Sequence, residues 1–245
     1  MTGIAEVGPR PAPRAELSTL PATGASFTVH FTEAYTDASR PGVQVEACLS
    51  CDRTCEEPVA TALADEYGLA TLYVRDGLAA FDGYLKVSAT GMPDNYVSLV
   101  GRHAPYGSAY LRVPVYTSAA LAVTGGMADL DVDAQHALVR VDALDCSGNP
   151  AADVAMQVEG TEPGFATAYF AGGGDALSFA ASATDASGVA MVFRVTPGPV
   201  EIEGSIAGRS IGAAWTYAYR GAVTSFVLRP SGAVDEVIKA VAVEP

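Results

Sequence analysis

A short segment that occurs twice constrains the fold more than any other feature of this sequence. Residues 64–74 read ADEYGLATLYV and residues 184–195 read TDASGVAMVFRV, so each copy carries an Asp followed three residues later by a Gly. Such an Asp caps a backbone amide of a tight turn, and the Gly adopts backbone angles that other residues resist. Apolar residues then alternate with others, which predicts that a strand leaves each turn. The repeat predicts two related β-modules.

Further alternating segments predict the other strands of both modules. Residues 139–143 resemble residues 43–47, a shift of 96, whereas the two turns are shifted by 120, position 185 against 65. Module two therefore holds 24 additional residues between these positions, which include the glycine-rich residues 160–174. Residues 92–108 show no period and are predicted to form a long connection. Pro114 predicts that its strand lies at a sheet edge or a bulge, because proline cannot donate to the ladder.

The predicted fold is all-β, with two tandem antiparallel β-sandwich domains of the Greek-key type. A chain of 245 residues accommodates two domains, each large enough to bury a core. We assign residues 1–25 to a proline-rich flexible linker, residues 26–125 to module one, and residues 126–245 to module two with its insertion. The boundary is placed near Gly125 and Gly126. The linker lacks the apolar segment of a signal peptide, so an export signal is expected to lie outside this chain.

The order of these features resembles a known family. An alternating strand, a proline-containing loop, the Asp-x-x-Gly turn, an apolar strand and a glycine turn together resemble the carboxypeptidase regulatory-like, or transthyretin-like (prealbumin-like), β-sandwich family. The resemblance covers residues 26–118 and 136–230. It implies seven-stranded sandwiches with an accessory or adhesive role, and it implies no catalytic residue.

Charge and motifs narrow the functional classes. Acidic residues outnumber basic ones 28 to 14, a net charge of −14, which opposes binding to nucleic acid and to anionic membranes. No apolar run of about 18 residues is present, so we expect no direct membrane insertion. A Gly-x-Ser-x-Gly elbow and phosphate-binding loops are missing from the sequence, as is an evident Cys–His pair. We therefore expect a noncatalytic protein without a cofactor, whose partner is a protein or a glycan at the cell surface.

The cysteines indicate an extracytoplasmic location, which means secreted, periplasmic or surface-anchored. Cys48, Cys51 and Cys55 form a cluster and Cys146 lies in module two. Clustered thiolates can bind zinc, but an even number of cysteines in an exported sandwich is more simply interpreted as disulfide bonding. If all four pair, Cys146 bonds to the cluster and locks the modules together. If Cys146 is free, one cysteine of the cluster is unpaired as well.

Three aspartates near the module boundary are candidate calcium ligands. Asp129, Asp131 and Asp133 alternate with apolar residues, which would place three carboxylates on one face of an extended segment. Carboxylate oxygens are the ligands that calcium prefers. However, the calcium-loop pattern does not continue, because Ala134 and Arg140 stand where Gly and Glu are required. A solvated strand face is the alternative interpretation.

Two sets of residues are candidates for ligand binding. Trp215, Tyr217 and Tyr219 share one face of a predicted strand and would form a flat platform for sugar stacking if that face is exposed. Arg102, His103 and Tyr106 lie in the predicted connection, where a loop could present them to a ligand. The leading hypothesis is an interaction or structural protein at the cell surface, and the alternative is a carbohydrate-binding module that uses the aromatic face.

Overall fold

The computed structural model describes residues 25–74, 81–99, 109–130, 132–159, 164–171 and 176–230. These ranges contain fifteen strands and one helix, so the chain is all-β. No helix within them is long and apolar enough to cross a bilayer. The elements are β1 Ala25–Glu33, β2 Gln44–Leu49, β3 Ala60–Leu63, β4 Leu69–Val74, β5 Gly83–Ser88, β6 Asn95–Ser98, β7 Ala109–Val115, α1 Ser118–Ala128, β8 Ala137–Ala143, β9 Ala155–Glu159, β10 Ala166–Ala171, β11 Ala176–Ser178, β12 Val189–Val195, β13 Gly198–Ile206, β14 Arg209–Ala218 and β15 Val223–Leu228.

Module one is a sandwich of two sheets. A three-stranded sheet in the order β4-β1-β7 packs on strands in the order β6-β5-β2-β3. The alternating residues predicted from the sequence form the core, in which Phe27, Phe31, Leu72 and Leu85 are fully buried. Strand β7 pairs only with β1 in this sheet, so the edge position predicted from Pro114 is confirmed.

Module two repeats this arrangement. Strands in the order β12-β8-β15 form one layer, and β14-β13-β9 form the other. In each module the first strand lies between the strand that follows the Asp-x-x-Gly turn and the last strand, with which it pairs in parallel. Module two also contains β10 and β11, which extend the first layer beyond β12.

The shared topology corrects one detail of the predicted repeat. Residues 139–143 lie in β8, whose position between β12 and β15 makes it the equivalent of β1. The predicted match to residues 43–47, and the excess of 24 residues calculated from it, are therefore wrong, because residues 44–47 lie in β2, whose topological counterpart is β9. Every half-buried strand alternates with the same period, so alternation alone does not identify which strand of a module is repeated.

The two modules share one sheet of nine strands. Its order is β11-β10-β12-β8-β15-β6-β5-β2-β3, and parallel pairing of β15 with β6 joins the halves. Strand β6 lies within residues 92–108, which the sequence analysis assigned to a connection, and that assignment is wrong for Asn95–Ser98. This four-residue strand pairs with the nearby β5 and with the distant β15, and local sequence patterns do not report the pairing with β15.

The second layers of the two sandwiches lie on opposite faces of the common sheet. Val97 of β6 belongs to the core of module one, whereas its neighbour Tyr96 points to the other face. In β15, Thr224 is paired with Tyr96, and Phe226, two residues further on the same face, belongs to the core of module two. Each half of the sheet therefore has one face that its own sandwich leaves uncovered.

Helix α1 covers the uncovered face in module two. Thr117 begins it by accepting a hydrogen bond from the Ala120 amide at 3.1 Å, a common N-cap arrangement. Residues of the helix pack with Tyr116, Met191 and Phe193 in a third core cluster. The predicted module boundary at Gly125 and Gly126 falls inside this helix.

A partly buried charge pair lies beside this cluster. Arg140 donates to Asp142 Oδ1 from Nε at 2.9 Å and from Nη2 at 2.8 Å, and to the Tyr116 hydroxyl at 3.1 Å. Burial alone would lower the pKa of Arg140, but Asp142 and Tyr116 hold it above its ordinary value. Because Tyr116 precedes α1 and Arg140 lies on β8, the contact ties the two modules together.

The Asp-x-x-Gly turns have the predicted geometry. Asp65 Oδ1 accepts hydrogen bonds from the amides of Tyr67 and Leu69, both at 2.9 Å. Asp185 Oδ1 accepts from the Ser187 amide at 2.9 Å, and the glycines that follow have φ of 75° and 69° at positions 68 and 188. A third turn of this type, which the sequence analysis did not identify, spans residues 145–148 and carries Cys146.

We predict that replacing the glycine by alanine destabilises the Asp185 turn far more than the turn at residues 145–148. At Gly188 an added Cβ would lie 2.5 Å from the Ala143 carbonyl oxygen, whereas at Gly148, with φ of 84°, the nearest atom is 3.9 Å away. Gly148→Ala should lower the free energy of unfolding by about 1–2 kcal/mol through its backbone angle alone. Gly188→Ala should cost roughly 2 kcal/mol more. Urea unfolding of both variants measures this difference, and equal losses would contradict it.

Candidate binding site

A tyrosine cluster lies on the face of the common sheet that the sandwich of module one leaves open. Tyr84 of β5 and Tyr96 of β6 point to this face, and Tyr219, directly after β14, reaches them from module two. The rings of Tyr96 and Tyr219 stack with centroids 3.6 Å apart and an interplanar angle of 8°. Tyr84 lies 5.9 Å from each of them. The cluster therefore joins the modules on the face opposite to α1.

Burial changes the acidity of this cluster. Desolvation raises the pKa of Tyr96, with a further contribution from the charge of Asp94. Desolvation also raises the pKa of Tyr219, with contributions from Tyr84 and Tyr217. Tyr84, whose pKa is raised by burial as well, donates its hydroxyl proton to the Asp52 carbonyl oxygen at 2.6 Å. All three phenols are therefore neutral at physiological pH.

A disulfide loop borders the cluster. Cys48 and Cys55 are bonded to each other and are buried against the tyrosines. Within the loop, Asp52 accepts hydrogen bonds from the Glu57 amide at 3.0 Å and from the Thr54 hydroxyl at 3.3 Å. Because the charged form receives these bonds, chiefly that from Glu57, the pKa of Asp52 is lowered. These bonds order the loop internally, and the Tyr84 hydroxyl bond to the Asp52 carbonyl oxygen holds it against β5.

The other two cysteines are exposed and free. Cys51 lies in the disulfide loop, and Cys146 lies in the third Asp-x-x-Gly turn. The interpretation in which Cys146 bonds to the cluster and locks the modules together is therefore wrong for this structure. The alternative, in which a free Cys146 leaves one cysteine of the cluster unpaired, is the observed arrangement. The common sheet, rather than a disulfide, connects the modules.

An exposed aromatic surface begins where the tyrosine cluster ends. Trp215 and Tyr217 point outward from β14, and Trp215 is 64% exposed. Tyr219 does not extend this surface, because Tyr96 covers its ring. Between β14 and the disulfide loop lies a groove of about 250 Å³, lined by Trp215, Tyr217, Pro199 and Arg53 among others. The guanidinium carbon of Arg53 lies 5.1 Å from the centre of the Tyr217 ring, a cation–π arrangement.

Carboxylates accompany this surface on the neighbouring strands. Glu201 of β13 is directly opposite Trp215, and Glu159 of β9 is directly opposite Glu201. Glu203 and Gln157 form the next row on the same face. We define the Trp215 face as these residues together with Tyr217 and Pro199. The carboxylates, Arg53 and Tyr84 were not predicted from the sequence, although the alternation of the acidic residues 201 and 203 was a usable signal for an outward strand face.

The remaining candidate residues take local roles or lie outside the described ranges. Asp129 ends α1 with left-handed backbone angles. Asp133 accepts hydrogen bonds from the Gln135 amide and from Nδ1 of His136, and the bond from His136 is the main cause of its lowered pKa. Among the described residues no three His, Cys, Asp or Glu side chains form a metal-binding group. Asp131, Arg102, His103 and Tyr106 lie outside the described residues, so the calcium site and the loop site stay predictions.

A serine–histidine contact resembles part of a catalytic triad. His30 Nε2 and Ser39 Oγ are 3.0 Å apart on the exposed side of β1. In the part of the chain that the structure describes, no carboxylate bonds to the other ring nitrogen of His30. The orienting member of a catalytic triad is therefore not in place there.

Comparisons with known proteins give distant structural likenesses. No protein-family model matches the chain. No curated protein matches it in sequence. The shaft pilin SpaA from Lactobacillus rhamnosus GG is similar at a TM-score of 0.26 and 10% identity, covering 86% of this chain and 98% of that chain. GBS52, the minor pilin in the Gram-positive pathogen Streptococcus agalactiae, is similar at a TM-score of 0.28 and 12% identity. This match covers 84% of this chain and 95% of that chain. The Bacillus anthracis TIE protein is similar at 0.26 and 9%, covering 85% of this chain, which spans 34% of that protein.

We predict that the stability of the fold falls at alkaline pH because of the tyrosine cluster. Burial raises the pKa of Tyr96 and Tyr219 above the ordinary value of 10.0, so the folded protein holds these protons more tightly than the unfolded chain. Their contribution to stability is complete below pH about 10 and is lost as the pH rises further. Urea unfolding over a pH series measures the loss. Tyr96→Phe should reduce the pH dependence, whereas the exposed Tyr67→Phe should leave it unchanged.

Proposed function

We propose that this chain is a noncatalytic, extracytoplasmic interaction protein that binds its partner through the Trp215 face. The observation that carries this proposal is the exposure of Trp215 in the middle of β14. A strand tryptophan usually contributes its large area to a core or an interface. Here that area points to solvent, beside a groove at the module junction.

The architecture supports a role in presentation rather than in catalysis. The nine-stranded sheet runs through both modules, and clusters of buried side chains cover the junction on both faces. The modules therefore form a stiff body that holds the Trp215 face in a fixed orientation. A rigid element presents a binding residue more accurately than a loop does.

The disulfide supports the extracytoplasmic location. The Cys48–Cys55 bond lies against the tyrosine cluster, and such structural disulfides persist in oxidising compartments. The carboxypeptidase regulatory-like assignment remains part of this proposal. Its support is the common topology of the modules and their shared Asp-x-x-Gly turns.

We predict that the native protein contains one disulfide and two free thiols. Thiol titration after denaturation without reductant should count Cys51 and Cys146, and peptide mapping should recover Cys48 bonded to Cys55. Recovery of all four cysteines as thiols from cells that express the protein in its natural compartment would contradict the extracytoplasmic assignment.

We predict that binding to the surface of the cells that carry this protein depends on Trp215. Trp215→Ala should abolish retention of the purified protein on these cells, because it removes the exposed aromatic ring of the Trp215 face. Tyr67→Ala is the matched control, since Tyr67 is equally exposed at 64% but lies in a turn of module one. Equal retention of both variants would overturn the proposed binding face.

Glycan binding is the second candidate, favoured by the flat and exposed ring of Trp215. The same two variants would be applied to a glycan array. Retention of a sugar that Trp215→Ala loses and Tyr67→Ala keeps would support this candidate. An array on which no sugar is retained would remove it without affecting the proposed protein partner.

A further inference from the structure

The Trp215 face combines an exposed aromatic ring with carboxylates that lack a partner. Glu201 lies opposite Trp215, and Glu159 lies opposite Glu201. Among the residues that the structure describes, no arginine or lysine forms an ion pair with Glu159, Glu201 or Glu203. Like charges directly opposite each other destabilise a sheet. In the isolated chain these carboxylates therefore repel each other, and a cationic partner would relieve this repulsion.

The contact at Tyr217, two residues from Trp215, shows that this surface accommodates a guanidinium group. Arg53 places its guanidinium 5.1 Å from the centre of the Tyr217 ring, two residues along β14 from Trp215. Among the described residues no carboxylate forms an ion pair with Arg53, so its guanidinium contacts the aromatic ring without one. Guanidinium groups stack on aromatic faces and also donate in a fork that matches a carboxylate. Trp215 offers a larger ring than Tyr217, and it has a carboxylate directly opposite.

We propose that the Trp215 face binds an arginine-bearing segment of a partner protein, with a guanidinium on the Trp215 ring and paired with Glu201 and Glu159. This inference rests on the proposed function and adds the chemistry of the partner. Charge complementarity favours such a segment over an uncharged glycan, because sugar hydroxyls would leave the three carboxylates uncompensated. The open three-stranded sheet provides a flat surface on which an extended segment can lie.

The sole tryptophan of the chain provides a direct measurement. Because Trp215 is the only tryptophan among 245 residues, its fluorescence reports occupancy of this face without a label. Peptides of equal length made of arginine, lysine or glutamate would be titrated into the protein at low salt. We expect a saturable change with oligoarginine, weaker binding of oligolysine because an ammonium group lacks the planar fork, and no change with oligoglutamate.

Charge-matched variants separate a specific site from general attraction to an acidic protein. Glu201→Gln should raise the Kd for oligoarginine about tenfold, the effect expected from loss of a charge-assisted hydrogen bond. Glu66→Gln removes one charge from an exposed position in a turn of module one and should leave the Kd nearly unchanged. Trp215→Phe, followed by calorimetry, should retain part of the affinity, and Trp215→Ala should lose it.

Three outcomes would overturn the proposal. Equal weakening by Glu201→Gln and Glu66→Gln would assign the binding to the net charge of −14. A change in Trp215 fluorescence with a neutral oligosaccharide, but not with oligoarginine, would make a glycan the occupant. Retention on cells that depends on Trp215, without affinity for oligoarginine, would leave the proposed function intact while removing this partner chemistry.

Discussion

The parallel pairing of β15 with β6 is the interaction on which the rest of the structure depends. Without it the two modules would be separate sandwiches, each with unpaired strand edges that invite association with other chains. With it, the first layer of module two continues the second layer of module one. The cores of the sandwiches then lie on opposite faces of one sheet. This offset determines where α1, the tyrosine cluster and the Trp215 face must lie.

Different structural elements cover the two faces of the common sheet that the sandwiches leave uncovered. In module two, α1 supplies small residues such as Ala120 and Ala128 against Met191 and Phe193. In module one, the disulfide loop and Tyr219 cover Tyr84 and Tyr96. Because Tyr219 follows β14 directly, the same strand that contributes to closing the junction also presents Trp215 outward. The Trp215 face, our proposed binding surface, is thus attached to the junction of the two modules.

The sequence predicted those features that neighbouring residues encode. The Asp65 and Asp185 turns, the alternating cores and the edge position of Pro114 depend on a few adjacent residues, and all were identified. Strand β6 was missed because it is only four residues long and because one of its two neighbours, β15, lies more than a hundred positions away. The cysteine pairing and the exposure of Trp215 also depend on tertiary position. The alternation of β14 indicated that Trp215 and Tyr217 share a face, but it did not indicate which face meets solvent.

Trp215 of β14 and Tyr219, which directly follows this strand, have different surroundings, and this difference indicates different roles. Tyr219 is stacked, desolvated and neutral, and removal of its ring would expose the disulfide and the faces of Tyr84 and Tyr96. Trp215, four residues earlier, contacts none of these rings and has opposing carboxylates that repel each other. A tryptophan with these surroundings adds little to the core, which is why we propose that it serves binding rather than stability. The tyrosine cluster holds the modules together, and it fixes the position of the Trp215 face.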